Sequence, residues 1–191
     1  MEVYSIDRLG QSEEVFSLSF VADGTPPTSA AASGTPTSGR WITSQTSITI
    51  SADDGSGIGL GVVRFRIAHN DTYGVYGTYT VPFQLLQGEG AYTLEFESED
   101  LLGNRELTQS VSFEVDDTPP RIDYEVGYSA SDFEFTVDAS AEDEGSGLAS
   151  LEYRVGSGEW RTYEGPFTIR TKVSVNVEFR AVDLLGNTGM V

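Results

Sequence analysis

The sequence predicts an all-β protein of tandem antiparallel β-sandwich modules, and three observations support this class. Apolar and polar residues alternate with a period of two, most clearly over 133–141 and 173–181, as in strands with one buried face. No segment shows the 3.6-residue apolar stripe of a helix, and 21 glycines and 7 prolines punctuate the alternating segments. A stretch of sequence occurs three times, at 2–11, 95–104 and 178–187, which indicates an array of similar modules.

The alternation and the turn residues locate the expected strands in chain order. In the first unit they fall at 28–43, 46–53, 61–68, 78–86, 91–99 and 108–116. In the second unit they fall at 121–127, 132–141, 149–155, 159–163, 166–170 and 172–182. The alternating apolar faces are expected to form the two cores. We expect these cores to include Ile48, Ile50, Phe65, Leu94, Phe96, Val111, Phe113, Val137, Tyr153, Val177 and Phe179.

The repeat also predicts how the chain divides. Residues 1–23 are interpreted as the C-terminal hairpin of a preceding module, 24–116 as a complete module, and 117–191 as a module lacking its last strand. The joints carry the related sequences Asp23-Gly-Thr-Pro-Pro27 and Asp116-Asp-Thr-Pro-Pro120. Paired prolines fix φ and favour extended backbone, so both joints are expected to be short and stiff. Because the repeat is cut at both ends, the chain is expected to be a piece of a longer array.

Composition excludes several classes of function. With 11 Lys and Arg against 30 Asp and Glu, the net charge is −19, which repels nucleic acid and anionic membranes and suits cations, basic surfaces or neutral glycans. Cysteine is absent, so no disulfide or thiolate metal site is expected. The single histidine, His69, supports neither a transition-metal site nor a Ser/His/Asp triad. The sequence therefore predicts a protein that is not an enzyme.

A set of motifs occurs in the same order in both units. The first unit carries Asp54-Gly-Ser-Gly57, Tyr76-Gly-Thr-Tyr79, Pro82-Phe83 and Asp100-Leu-Leu-Gly-Asn104. The second unit carries Asp143-Glu-Gly-Ser-Gly147, Trp160-Arg-Thr-Tyr163, Pro166-Phe167 and Asp183-Leu-Leu-Gly-Asn187. This ordered set resembles the tandem immunoglobulin-like repeats of bacterial and archaeal surface and secreted proteins, over nearly the whole chain. Two features depart from the pattern: an apparent insertion at Gly59-Leu60 and a longer loop at 69–75.

The resemblance implies immunoglobulin-like sandwiches, an extracellular or cell-surface location, and a structural or adhesive spacer. Expected partners are other repeats of the same parent chain or of neighbouring chains, glycans, or cell-surface proteins. One alternative is a non-catalytic accessory region of a secreted carbohydrate-active enzyme, which an exposed row of aromatic residues would favour. Another is a self-assembling subunit of a surface layer or filament, which an open sheet edge would favour.

Acidic residues at the turns form the candidate metal site. An immunoglobulin-like topology brings the incoming linker, the loop after the second strand and the last hairpin loop to one pole. The residues placed there are Asp23, Asp53, Asp54 and Asp100 in the first unit, and Asp116, Asp117, Glu142, Asp143 and Asp183 in the second. Carboxylates converging from three loops suit Ca²⁺, which takes six to eight oxygen ligands. The alternative is that these are ordinary turn residues that bond their own backbone.

We expect the calcium site at the second joint to be the stronger, because Asp117 stands where the first joint has Gly24. Asn70-Asp-Thr72 matches the glycosylation sequon and falls in a predicted loop, so Asn70 is a candidate glycan acceptor.

The aromatic residues after the third strand of each unit would either stack on sugars or pin a loop to the core. They are Tyr76, Tyr79 and Phe83 in the first unit and Trp160, Tyr163 and Phe167 in the second. Tyr73 and Tyr76 are expected to be the more exposed.

The two ends of the chain are predicted to be complementary. Phe16, Leu18, Phe20 and Ala22 align with Gln109, Val111, Phe113 and Val115, which belong to the last strand of the first unit. The second unit lacks this strand, so a neighbouring chain would complete it by donating the N-terminal copy. The alternative is that the ends are frayed or loosely packed.

Overall fold

A computed structural model, which describes residues 2–191, shows an all-β protein and confirms the predicted fold class. None of the described residues forms a helix long and apolar enough to cross a bilayer. Two short strands come first, β1 (Glu2–Val3) and β2 (Phe16–Ser17). We call residues 24–116 module one and residues 117–191 module two.

Module one is a sandwich of two sheets. Its strands are β3 (Thr28–Ser33), β4 (Thr37–Ser38), β5 (Trp41–Ile42), β6 (Ile48–Asp53), β7 (Leu60–His69), β8 (Thr72–Tyr73), β9 (Gly77–Thr78), β10 (Gly90–Asp100) and β11 (Gln109–Val115). One sheet pairs β3 with β6, and the other has the order β4-β5-β11-β10-β7-β8, with β9 also on β7. All pairs are antiparallel except β5 with β11. This is an immunoglobulin-like arrangement.

Alternation along β10 explains the core of module one. Tyr92, Leu94 and Phe96 are each at most 4% exposed, while the residues between them are only half-buried. They belong to a cluster of ten buried apolar residues, nine from the two sheets and Leu85 from the segment before β10: Ile42, Ile48, Ile50, Val63, Leu85, Tyr92, Leu94, Phe96, Phe113 and Val115. The expected residues Phe65 and Val111 pack against this cluster while half-buried.

The segment 28–43 was predicted as one strand region, but it is divided among β3, β4 and β5. The chain pairs with β6 only as far as Ser33 and then crosses to the other sheet, where β5 lies parallel to β11. The crossing buries Ile42 completely. The expected strand at 78–86 is also shorter, since beyond Thr78 only Phe83 makes an isolated bridge, to Ile48. Packing between the sheets decides both boundaries, and local alternation does not encode it.

Module two has the same two layers with fewer strands. They are β12 (Arg121–Ser129), β13 (Glu134–Glu142), β14 (Leu148–Val155), β15 (Arg161–Thr162), β16 (Phe167–Arg170), β17 (Val177–Asp183) and β18 (Thr188–Met190). The sheets are β12-β13-β16 and β15-β14-β17-β18. Among the described residues of module two, the buried aliphatic and aromatic side chains are Val137, Phe179, Ala181 and Leu185, with exposed fractions of 0–6%.

Two predicted strands of module two begin later in the structure than the alternating sequence indicates. Phe133 lies in the turn before β13 with a φ of 49°, so the strand begins at Glu134, two residues later than predicted. The expected strand at 172–182 begins only at Val177. In module one the equivalent segment is paired with β11, starting from Gly90. No described strand pairs with 172–176 in the same way. Without that partner, the alternating sequence is not sufficient to form the strand.

The three copies of the repeated sequence form the same hairpin turn. In each, one aspartate carboxylate accepts hydrogen bonds from the backbone N–H groups two and four residues ahead. The donors are Leu9 and Gln11 to Asp7, Leu102 and Asn104 to Asp100, and Leu185 and Asn187 to Asp183. The N-terminal strands also keep the register of module one, because Val3 faces Phe16 as Phe96 faces Gln109.

Charged residues pair across the central strands of both modules. Arg66 lies opposite Glu95 in module one, as Arg154 lies opposite Glu178 in module two. At the neighbouring position the charges are exchanged: Arg64 faces Glu97 in module one, although the Arg64 side chain forms its ion pair with Glu99, at 2.8 Å. In module two, Glu152 faces Arg180, and their side chains are 2.5 Å apart. Such half-exposed pairs contribute little to stability, on the order of 1 kcal/mol or less each.

Candidate cation site at the module joints

Three aspartates from different elements meet at the first joint. Asp23 lies in the incoming linker, Asp54 follows β6, and Asp100 is the last residue of β10. Each places one carboxylate oxygen within 4.8 Å of the other two. Asp100 is buried, and the other two are half-buried. The topology therefore brings together three of the four acids that the sequence predicted here.

Hydrogen bonds hold these carboxylates in place. The Ile58 N–H donates to Asp23 Oδ2 at 2.8 Å, and the Gly59 N–H donates to Asp54 Oδ2 at 2.7 Å. The Asn104 amide donates to Asp100 Oδ2 at 2.6 Å and also reaches the Asp23 carbonyl oxygen at 3.1 Å. The asparagine therefore ties the incoming linker to the hairpin turn.

The second joint repeats this arrangement with Asp116, Asp143 and Asp183, whose carboxylate oxygens again lie within 4.8 Å of one another. The Ser146 N–H donates to Asp116 Oδ2 at 2.7 Å. The Asn187 amide bridges Asp183 Oδ2 and the Asp116 carbonyl oxygen, at 2.7 and 3.1 Å. The two joints thus share one arrangement of three aspartates and an asparagine.

The chemistry of each cluster fits a hard cation. Three carboxylates this close repel one another, and a divalent ion would offset that repulsion. Asp54 Oδ1 and Ser146 Oγ are buried and have no hydrogen-bond partner in the described structure. A Cβ added at Gly57 would meet the carboxylates of Asp54 and Asp23, and one at Gly145 would meet that of Asp116. Glycine therefore leaves room at each cluster that a side chain would fill.

Three of the predicted acids lie outside the clusters. Asp53 is exposed and caps its own turn by accepting from the Gly55 N–H at 2.9 Å. The Asp117 carboxylate faces module one instead and accepts from the Ser44 N–H at 2.9 Å. Glu142 is exposed at the end of β13. We expected a stronger calcium site at the second joint because of Asp117. Asp117 adds no oxygen to the second cluster, so that reason does not hold.

The loop after β6 corrects another expectation. Leu60 begins β7 as Leu148 begins β14, and the Gly59 carbonyl accepts from Leu101 as the Gly147 carbonyl accepts from Leu184. Gly59 and Leu60 therefore have counterparts in module two, and placing the insertion there was wrong. The extra residue of module one lies between Asp54 and Gly57.

Sequence reasoning missed the asparagines and the glycines around the clusters. Asn104 and Asn187 end the repeated Asp-Leu-Leu-Gly-Asn motif, whose recurrence was the available signal. Their side chains bond the linker carbonyl of a residue at least 71 positions away, which only the fold reveals.

Electrostatics at the first joint predicts sensitivity to acid. Hydrogen bonds from Thr25 and Ile58 hold the pKa of Asp23 below its usual value of 3.8. Burial raises the pKa of Asp100, but hydrogen bonds from Asn104 and Leu102 outweigh it, so that pKa also lies below 3.8. The folded state therefore favours both charged forms. This contribution to stability is present above the unfolded-state pKa and is lost as the pH falls through the folded-state values.

We therefore expect the melting temperature in chelator to fall as the pH drops below about 4. Asp23→Asn should flatten this dependence, whereas Asp53→Asn, on the neighbouring exposed turn residue, should leave it unchanged. A wild-type melting temperature that stays constant from pH 6 to pH 2.5 would contradict the assignment.

The aromatic residues divide into two groups. Tyr79 and Phe83 pack around Phe65, and Tyr163 and Phe167 pack around Tyr153, with ring centroids 4.2–6.4 Å apart. These four residues pack their loops against the sheet, which is the second of the two alternatives considered for them. The others stack on arginines: Tyr73 and Tyr76 on Arg66, and Trp160 between Arg154 and Arg180. Arg66 thus covers one face of each tyrosine ring.

Asn70 forms a two-residue turn with Asp71 between β7 and β8. Both residues have positive φ, 46° and 62°, in what the sequence predicted as a long loop. Asn70 is exposed, and its Oδ1 accepts from the Ala91 N–H at 3.2 Å. Glycosylation at this position stays a prediction.

Fold and site together define an all-β protein of immunoglobulin-like β-sandwich modules with an acidic cluster at each joint. No family model matches the chain, and no curated protein matches it. Solved structures do match, among them the fibronectin(III)-like modules of Clostridium thermocellum CbhA. That match has 16% sequence identity, covers 85% of this chain and 90% of the other, and has a TM-score of 0.42. The fold assignment above rests on the strand pairing itself.

Proposed function

We propose that this chain is a non-catalytic spacer of a cell-surface or secreted protein, in which immunoglobulin-like modules are joined stiffly in series. The observation that carries this proposal is the bonding of Asp116 to both modules. Its N–H donates to the Ile42 carbonyl of module one at 3.0 Å, and its carboxylate accepts from Ser146 of module two. Only 4% of Asp116 is exposed, so the connecting residue is itself part of the packed structure.

The rest of the second linker is also held. The Asp117 N–H and the Thr118 hydroxyl both donate to Glu89 Oε1, at 2.9 and 2.7 Å. Pro119 and Pro120 follow and restrict the backbone further. A linker that hydrogen-bonds to the modules on either side transmits orientation from one to the next, which is what a spacer requires.

Residual dipolar couplings test the stiffness. The two modules should fit one common alignment tensor, because the joint fixes their relative orientation. Asp116→Ala should require two independent tensors, while Asp123→Ala, at an exposed position in β12, should behave as wild type. Independent tensors in the wild-type chain with Ca²⁺ present would overturn the proposal.

We further propose that Ca²⁺ binds both clusters and locks the joints. The chain's net charge of −19 disfavours bringing three carboxylates together, and the ion would reverse that penalty locally. A ligand at 100 times its dissociation constant stabilises the folded state by about 2.7 kcal/mol. Calcium should therefore raise the melting temperature of both modules by several degrees over the value in chelator.

Conservative substitutions locate the ion. Asp54→Asn and Asp143→Asn keep the side-chain size but remove one charge, so each should reduce the calcium response of its own module. The matched controls are the adjacent residues outside the clusters, Asp53→Asn and Glu142→Gln, which should respond as wild type. Equal melting curves with calcium and with chelator would remove calcium from the proposal but leave the spacer function intact.

A further inference from the structure

Two buried side-chain oxygens lack a hydrogen-bond partner among the described residues, and one of them lies at each acidic cluster. They are Asp54 Oδ1 at the first joint and Ser146 Oγ at the second. Buried polar atoms are nearly always hydrogen-bonded, and an unpartnered one destabilises the folded chain. Because both exceptions occur at the clusters, they indicate a ligand that comes from outside the protein.

Ser146 lies between two residues that contact the aspartates of the second cluster, and it is 7% exposed. On one side, a Cβ added at Gly145 would meet the Asp116 carboxylate, and on the other the Gly147 N–H donates to Asp143 Oδ1 at 2.7 Å. The N–H of Ser146 itself donates to Asp116 Oδ2 at 2.7 Å. Bond lengths keep a serine Oγ within about 4 Å of its own nitrogen, so the hydroxyl lies beside these carboxylates.

The carboxylates around Ser146 already have other donors. The Thr118 N–H donates to Asp116 Oδ1 at 3.1 Å, and the Asn187 amide donates to Asp183 Oδ2 at 2.7 Å. The Ser146 hydroxyl forms no hydrogen bond with any of them. A hydroxyl oxygen that accepts no hydrogen bond keeps both lone pairs free, and lone pairs are what a cation binds.

Module one has a different residue at the matching position. The Ile58 N–H donates to Asp23 Oδ2 at 2.8 Å, as the Ser146 N–H donates to Asp116 Oδ2. Isoleucine has no side-chain oxygen, and in this cluster the free buried oxygen is Asp54 Oδ1 instead. Each cluster therefore combines three neighbouring carboxylates with one free buried oxygen, although residues of different types supply that oxygen.

We propose that Ser146 Oγ is a fourth protein ligand for Ca²⁺ in the second cluster, beside Asp116, Asp143 and Asp183. This inference rests on the proposed binding of Ca²⁺, and it adds a neutral ligand that the pattern of acidic residues does not reveal. Hydroxyl oxygen is a hard donor and suits Ca²⁺, which takes six to eight oxygen ligands. Without the ion the buried hydroxyl destabilises module two, and with the ion it contributes to binding. Its effect on stability therefore changes sign when calcium binds.

Melting of the full chain with Ser146→Ala tests this change of sign. With Trp41 replaced by phenylalanine, Trp160 reports on module two in chelator and over a series of calcium concentrations. In chelator, Ser146→Ala should melt at or above the wild-type temperature, because the unpartnered hydroxyl is gone. The calcium concentration needed to raise the melting temperature should increase about tenfold, because the ion loses one neutral ligand and keeps three charged ones.

Ser150→Ala is the matched control, since Ser150 is a half-buried serine of the same module, in β14. It should keep the wild-type calcium midpoint. Module one, followed by Trp41 with Trp160 replaced by phenylalanine, should keep its wild-type calcium response when Ser146 is alanine.

A Ser146→Ala chain with the wild-type calcium midpoint would overturn this inference and leave the binding of Ca²⁺ intact. A melting temperature well below wild type in chelator would also overturn it, because the hydroxyl would then support the fold without an ion. A wild-type module two that melts alike in calcium and in chelator would overturn the proposed calcium binding together with the inference.

Discussion

Replacing Phe96 with alanine should lower the free energy of unfolding of module one by about 3–5 kcal/mol. Phe96 is 4% exposed and lies in the middle of β10, inside the cluster of ten buried residues. Removing its ring leaves a cavity that both sheets enclose, and typical domains have only about 5–15 kcal/mol of stability in total. Urea unfolding followed by the fluorescence of Trp41, with Trp160 replaced by phenylalanine, measures the loss.

Val81→Ala is the matched control, because Val81 is 66% exposed and should change the stability by no more than about 0.5 kcal/mol. A Phe96→Ala midpoint close to wild type would contradict the burial. The sequence predicts the same cost for Phe179, which is 2% exposed but borders an open apolar groove between the two sheets of module two. Water would enter the space that its removal creates, so we expect Phe179→Ala near the lower end, about 3 kcal/mol.

Replacing Asp183 with alanine should destabilise module two by about 3 kcal/mol in chelator. Asp183 is 2% exposed, and its carboxylate accepts from the Leu185 N–H, the Asn187 N–H and the Asn187 amide. Each buried donor left without an acceptor costs about 1–3 kcal/mol. Relief of repulsion from Asp116 and Asp143 offsets part of that sum.

The measurement is urea unfolding followed by Trp160, with Trp41 replaced by phenylalanine so that module two is observed alone. Glu142→Ala, at an exposed acid on the same module, should be nearly neutral. A loss for Asp183→Ala no larger than for this control would show that the carboxylate does not hold the turn together.

The strands and the convergence of the acids were predictable because both follow from local pattern and topology. Alternation alone located β10 within one residue at each end. Asp54 and Asp100 meet because any immunoglobulin-like sandwich places those loops at one pole. What was not predictable depends on side-chain direction: Asp117 follows Asp116 directly, yet turns to Ser44 while its neighbour enters the cluster.

Two further errors share one cause, which is that a strand needs a partner as well as a pattern. Val173 and Val175 alternate as regularly as Val177 and Phe179, but only the latter two lie in β17. In the same way, the residues from Thr28 to Ile42 read as one strand, although two different sheets supply their hydrogen bonds.

The exchanged charges on the central strands bear on how a tandem repeat avoids misassembly. Neighbouring modules of similar sequence can swap strands as they fold, which is a common failure of repeat proteins. If β7 of module one paired with β17 in the native register, Arg64 would face Arg180. The reciprocal pairing of β14 with β10 would set Glu152 against Glu97. Like charges directly opposite are destabilising, so the exchanged charges disfavour pairing between strands of different modules.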